Sequence, residues 1–317
     1  MSNRKPDHDV AALDALLRKV FGTAVPTTHE RTPDGVSTQV YRIRRGAETF
    51  YLRVAEEPGE NLETDAELHR RLREAGVRVP EVVHVEPFAA DFDRSIMITT
   101  EVPGVPVTAA PEAVAAAVVE AAGADLALLN AVPVDGFGFV RRAGRGWPLQ
   151  AEHATHPPFA TAGLPDPWPG PLATLFAAPA LDAIETMLEH ELRHPPARAA
   201  LAHGDFDVTQ IFCAGGRYTG IIDFGEIRGT EPSFDLGHFH LQEEQAPPAA
   251  RLPALLAGYQ RVRPLPPDHE ESIRRSSVML AVRQLCRWLA PPRNAPLGAP
   301  AVTRRAHRVT QLLQHAP

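Results

Sequence analysis

Lysine is almost missing from this 317-residue chain: Lys5 and Lys19 are its only two, so nearly all its cationic chemistry falls to arginine. Two cysteines, Cys213 and Cys286, are too few for a disulfide framework and make no metal-ligand spacing, which suits a reducing cytoplasm. No segment is long and apolar enough to span a membrane. The most apolar region, Ala113 to Leu129, is alanine-rich and interrupted by Glu120 and Asp125, and reads as a helix inside a domain. The opening MSNRKPDHDV is charged with no apolar stretch behind it, which argues against a signal peptide. No internal repeat is visible. The net charge of −7 and the lack of any aromatic-interleaved basic motif point away from nucleic acid. These absences lead to the expectation of a cytoplasmic protein without membrane or nucleic-acid partners, and they leave its oligomeric state open.

What is present describes a soluble globular chain, with 44% hydrophobic and 22% charged residues and enough length for two lobes. Thirty-two prolines beside so little lysine fit the coding bias of a GC-rich genome, so single prolines carry little functional weight. Apolar periodicity predicts a helix over Val10–Phe21 and strands over Val36–Ile43 and Thr49–Ala55. A helix over Asn61–Ala75 and strands over Val82–Val85 and Ile96–Val102 complete a small sheet domain. Pro103-Gly104 marks a hinge, dividing residues 1–102 from 103–317. Helices follow from Glu112, with later ones over Pro253–Val262 and Glu270–Leu289. Residues 141–171, rich in glycine, proline and histidine, read as an irregular insertion.

The most informative stretch is HGDFDVTQIFCAGGRYTGIIDFGE, His203 to Glu226. It sets His203-Gly204-Asp205 and Asp223-Phe224-Gly225 on either side of a predicted hairpin: apolar Ile211-Phe212-Cys213, a glycine turn, then Tyr218 to Ile222. Kinase-type phosphoryl transfer needs two such acidic stations, one facing the attacking hydroxyl and one holding Mg²⁺ on the nucleotide phosphates. Gln210 offers a side-chain carbonyl oxygen between them. Either aspartate alone could be an Asx turn; the order and spacing of both favour a phosphotransferase site.

The segment resembles the aminoglycoside phosphotransferase family of small-molecule kinases, whose pattern is His-Gly-Asp, four residues, Asn, a hairpin, Asp and a further Asp. The match can be followed from about Gly35 to Leu241. The resemblance implies an α+β, two-lobed protein-kinase-like fold, with a small antiparallel-sheet N-lobe for nucleotide and a mainly helical C-lobe for catalysis and acceptor. It implies Asp205 as catalytic base, Asp223 as the main Mg²⁺ ligand and Asp235 as a brace for the catalytic loop. Gly204 stands where protein kinases have arginine, favouring a small-molecule acceptor. His203 is expected to organise the loop, and adenine to lie near Thr100, Glu101 and Val102.

The sequence departs from the family at two places. Its metal-binding asparagine is Gln210 here, with the same hard oxygen on a stem one methylene longer. The lysine of its phosphate clamp is replaced: in Phe50-Tyr51-Leu52-Arg53-Val54 the cation must be Arg53, and its carboxylate partner aligns best with Asp65. Gly35 and Ser37, in a turn before a strand, could cover the phosphates, although a full glycine-rich loop is missing. Among the histidines, His153, His156, His238 and His240 offer no third ligand at a diagnostic zinc spacing.

Charge is distributed unevenly. Residues 182–244 hold twelve acids against four arginines, and residues 251–317 hold eleven arginines against three acids. A basic tail forming the acceptor wall would disfavour polycationic aminoglycosides. The expected activity is Mg²⁺-dependent transfer of the γ-phosphoryl group of ATP or GTP to a small-molecule hydroxyl, including the possibility of antibiotic modification. Two alternatives stay open: a kinase of a sugar, amino alcohol or nucleoside-like metabolite, and a nucleotide-binding pseudokinase suggested by Arg53 and Gln210.

Overall fold

The structure, a computed structural model, describes residues 5–33, 39–143, 146–243 and 251–314. Its first helix, α1 (Val10–Phe21), starts where the Asp9 carboxylate accepts from the Ala11 amide at 2.8 Å and ends at Gly22 with φ +71°. Leu13, Leu16 and Leu17 are spaced for one helical face and are all buried. That face lies on a five-stranded antiparallel sheet of β1 (Thr27–Arg31), β2 (Gln39–Arg45), β3 (Glu48–Val54), β4 (Val82–Ala89) and β5 (Arg94–Thr100). The strand order is β1-β2-β3-β5-β4. Tyr41, Ile43, Leu52, Val54, Ile96 and Ile98 fill the space beneath α1. Strand alternation then turns Arg53 to the opposite face, where α2 (Glu63–Glu74) lies.

β1 was not expected from the sequence. Thr-Thr-His-Glu-Arg has no apolar alternation, and the strand forms by pairing with β2, from Thr27 opposite Arg45 to Arg31 opposite Tyr41. Of the strand expected over Val36–Ile43, residues 36–38 lie outside the described residues, and β2 runs two residues further than expected.

Beyond Pro103-Gly104, a two-residue strand β6 (Val105–Pro106) leads into α3 (Glu112–Leu129), buried on most of its circumference. After α3 come β7 (Pro133–Val134), β8 (Phe137–Val140), β9 (Ala151–His153) and α4 (His156–Thr161), so the expected irregular insertion is partly regular. Pro157 and Pro158 start α4, where a missing amide proton costs nothing. The chain continues through α5 (Ala178–Arg193), β10 (Ala199–Ala202), the hairpin β11 (Ile211–Ala214) and β12 (Arg217–Ile221), and β13 (Arg228–Thr230). It closes with α6 (Ser233–Gln242), α7 (Leu252–Gln260), α8 (His269–Leu289) and α9 (Pro300–Gln314). Two small antiparallel sheets, β7-β10-β13-β8-β9 and β12-β11-β6, are set among these helices.

One core runs through both halves. Leu68 and Leu72 of α2 belong to the same buried cluster as Leu126 of α3, Ile211 and Ile221 of the hairpin, and Phe224. A second cluster joins α5, α6, α8 and α9 through Ile184, Phe234, Val278, Leu285 and Val309. α3 and α7 cross at Gly123 and Gly258, where an added Cβ would fall on the carbonyl oxygens of Leu255 and Glu120.

Candidate active site

The loop from β10 to β11 carries Asp205, and its shape is set from beneath. Asp235, in the first turn of α6 and fully buried, accepts from the amides of His203 and Gly204, both at 2.9 Å. Its Oδ2 also accepts from Asn130 Nδ2 at 3.0 Å, and that amide donates again to Leu201 O at 2.9 Å. A buried carboxylate is tolerable only when so surrounded by donors. Gly204 has φ +90°, and a Cβ there would collide with Glu226 O, so only glycine lets the loop lie against the segment after Asp223.

His203 joins the two acidic stations. Its buried ring donates from Nε2 to Ile222 O at 2.8 Å, which leaves Nδ1 to accept from the Asp205 amide at 3.4 Å. Gln210 sits on the same seam: the Ile222 amide donates to Gln210 O at 3.1 Å, so the residue before Asp223 is paired with Gln210. Asp223 adopts φ +67°, ψ +69°, and its Oδ1 accepts from the Gly225 amide at 3.3 Å. A left-handed aspartate is a locally strained conformation, held by what surrounds it.

Asp205 is half-buried. Burial, then Asp207, Asp223 and Glu226, push its carboxyl up to about 6. His238 of α6, 3% exposed, donates from Nδ1 to Phe206 O at 3.1 Å and places Nε2 3.3 Å from Asp205 Oδ1. Burial holds His238 below the ordinary histidine value. With Nδ1 donating, Nε2 is the ring nitrogen that faces the Asp205 carboxylate. His240 lies two helical positions on and points away, toward Ser277 Oγ at 3.3 Å.

Arg53 and Asp65 meet across the sheet–α2 interface, with Arg53 Nη1 3.2 Å from Asp65 Oδ1. No sequence signal marks the carboxylate's closer partner. Arg142, in the segment after β8, forks onto both oxygens of Asp65, Nε to Oδ2 at 2.8 Å and Nη2 to Oδ1 at 3.1 Å. The same Nη2 donates to Phe224 O at 3.0 Å and Gly225 O at 3.1 Å. Burial pushes the Asp65 carboxyl up, but Arg142 and then Arg53 outweigh it and hold it below the ordinary value.

Thr100, Glu101 and Val102 lead into the hinge and line a hollow of about 300 Å³ with Arg78, Pro103 and Thr219. The Glu101 amide donates to Thr49 O at 3.1 Å, and its carboxylate meets Arg42 and Tyr51, both at 3.3 Å. Gly35 and Ser37 lie outside the described residues. The charge of the basic tail is partly compensated within the fold. Arg251, Arg261, Arg274, Arg275 and Arg283 pair with carboxylates, and Arg263 and Arg308 donate to backbone carbonyls. Arg305 donates to Gln242.

The comparisons agree with this architecture. Residues 28–271 match the model of the phosphotransferase enzyme family, APH. Comparison with curated proteins returned no significant match. Among solved structures, aminoglycoside phosphotransferase APH(4)-Ia superposes with a TM-score of 0.69 at 18% identity, covering 98% of this chain and 100% of its own. A thermostable APH(4)-Ia mutant in a ternary complex with ADP and hygromycin B gives 0.68 at 17% identity, covering 96% and 98%. A Thermobifida fusca protein provisionally described as a fructosamine-3-kinase gives 0.61 at 16% identity, covering 96% and 100%. These likenesses establish the two-lobed kinase-like fold, and the family match shows that the chain belongs to the phosphotransferase enzyme family.

Proposed function

We propose that the chain transfers the γ-phosphoryl group of ATP or GTP to a hydroxyl of a small molecule, with Asp205 as base. The observation that carries this reading is the convergence of Asp205 and Asp223 on one seam, tied together by His203 and braced by Asp235. Residues 1–102 would hold the nucleotide, with adenine near Thr100 to Val102, and residues 103–317 the catalytic loop and acceptor. Asp205 would orient the acceptor hydroxyl and take its proton as the bond to phosphorus forms; its raised affinity for a proton suits that role. A pseudokinase would have no use for such a carboxylate.

The residues present fit Mg²⁺. Asp223 is exposed, and among the described residues one of its carboxylate oxygens is unbonded and the Gln210 side-chain amide makes no hydrogen bond, so hard oxygens are available beside the loop. A bound Mg²⁺ would neutralise charge on the nucleotide phosphates. Asp223 would hold it with the stronger charge, Gln210 would add a neutral oxygen, and Arg53 would present its unpaired nitrogens to the phosphates.

The acceptor is a small hydroxylated molecule. The APH(4)-Ia complex contains hygromycin B, and another neighbour is described by fructosamine, so amino-sugar-like alcohols are the first compounds to try. Five of the eleven arginines of residues 251–317 pair with carboxylates, which weakens the charge argument against polycationic acceptors without removing it. The location most in keeping with two free cysteines is the cytoplasm, and among the described residues no helix is long and apolar enough to cross a membrane. Incubation of candidate alcohols with γ-labelled ATP or GTP tests the reading. Label in an acceptor, lost with Asp205→Ala while Mg-nucleotide still binds, is the expected result; transfer within about tenfold of the parent would remove Asp205 from the base role.

A further inference from the structure

We infer that Arg142 is a positioning residue of the phosphate end of the nucleotide site, fixing Asp65 and the turn after Asp223 so that Arg53 is left available to phosphate. This rests on the nucleotide reading above. Two guanidiniums share the single, fully buried carboxylate of Asp65, and they share it unequally. Arg142 takes both oxygens, whereas Arg53 has one nitrogen 3.2 Å from Oδ1. A lone lysine–glutamate clamp divides one cation between its carboxylate and the phosphates. Here the carboxylate is satisfied by a different arginine, and among the described residues Arg53 Nε and Nη2 have no hydrogen-bond partner. Arg53 Nη2 lies 4.0 Å from the position a Cβ would take on Gly225, which places it beside the turn that follows Asp223.

The second set of contacts gives Arg142 its reach. Its Nη2 is bonded to the carbonyls of Phe224 and Gly225 as well as to Asp65, so one planar group spaces α2 from the Asp223 turn. The Asn61 amide donates to Arg142 O, which fixes the backbone of the segment at the start of α2. The side chain is 9% exposed, and the Asp65 carboxylate holds its charge against burial. A lysine could supply the charge but not the fork: its single ammonium cannot keep four acceptors in this geometry.

The experiment measures binding of MgATP, MgGTP, adenosine and guanosine by calorimetry to the full chain, with melting temperatures taken without ligand. Arg142→Gln is expected to weaken the preferred Mg-nucleotide by roughly tenfold or more while the matching nucleoside binds as before, because only the phosphate end is disturbed. Arg142→Lys should recover only part of the loss. It also supplies the measurement if the glutamine variant does not fold. Arg142→Gln combined with Asp65→Asn should lose little more than the worse single change. Equal loss of nucleotide and nucleoside affinity would make Arg142 a general brace and overturn the assignment, as would full affinity in both variants. A parent that binds neither Mg-nucleotide would overturn the nucleotide reading together with it.

Discussion

Single side chains carry the sharpest consequences. If Asp205 is the base, its carboxyl, pushed up to about 6, is ionised above that pH and protonated below it, so turnover should fall on the acid side of pH 6. If His238 faces Asp205 Oδ1 as a neutral ring, His238→Phe should lower the carboxyl's proton affinity. The acid limb of the rate profile should then move to lower pH, and an upward movement would mean that a cationic His238 had been stabilising the carboxylate. At Gln210 the readout is the metal. Gln210→Asn, which restores the shorter amide, should retain or improve activity. Gln210→Ala should raise the Mg²⁺ concentration needed for half-maximal rate, and a variant matching the parent at limiting Mg²⁺ would show that glutamine is not a ligand.

At the scale of elements, the crossing of α3 and α7 is the least forgiving junction, because two backbones meet there without side chains between them. Gly258→Ala should destabilise the protein by about 1–3 kcal/mol, read as a lower denaturant midpoint with unchanged slope. Gly163→Ala places its methyl in open space at φ +75° and should show only the smaller backbone penalty. A different strut, Asp125 of α3, accepts from the Arg78 amide at 2.8 Å and Tyr218 OH at 3.1 Å, linking the segment after α2 to the β11–β12 hairpin. α1, α2 and the hairpin were legible because their signals are local: Leu13, Leu16 and Leu17 on one face, or a Gly-Gly turn between two apolar runs. β1 was not, since its only reason to be a strand is the partner it pairs with.

At the scale of the whole molecule, the common core of Leu68, Leu126, Ile221 and Phe224 couples α2 to the β11–β12 hairpin. A nucleotide bound between them should therefore stabilise the fold as a unit. At a hundred times its dissociation constant, the preferred Mg-nucleotide should add about 2.7 kcal/mol, seen as one cooperative transition at higher temperature. Arg53→Ala should remove most of that gain if its free nitrogens meet phosphate, and an unchanged gain would separate Arg53 from the site.

The sequence alone determined the order of the acidic residues. Asp205, Gln210, Asp223 and Asp235 fall within thirty-one consecutive positions, and a loop, a hairpin and one helical turn convert that spacing into proximity. It also determined that Arg53 must serve if any basic residue on its strand does, since no lysine follows Lys19. Tertiary structure decided the rest. Arg142 reaches Asp65 across 77 positions and Phe224 across 82, and nothing in its neighbourhood marks it. Two arginines of the tail also find distant partners, Arg251 on Glu112 and Arg263 on Asn130 O, which a count of charge along the chain does not show. Local spacing acts over a few bonds, whereas the partner of a buried charge is chosen by which distant segments the core brings against it.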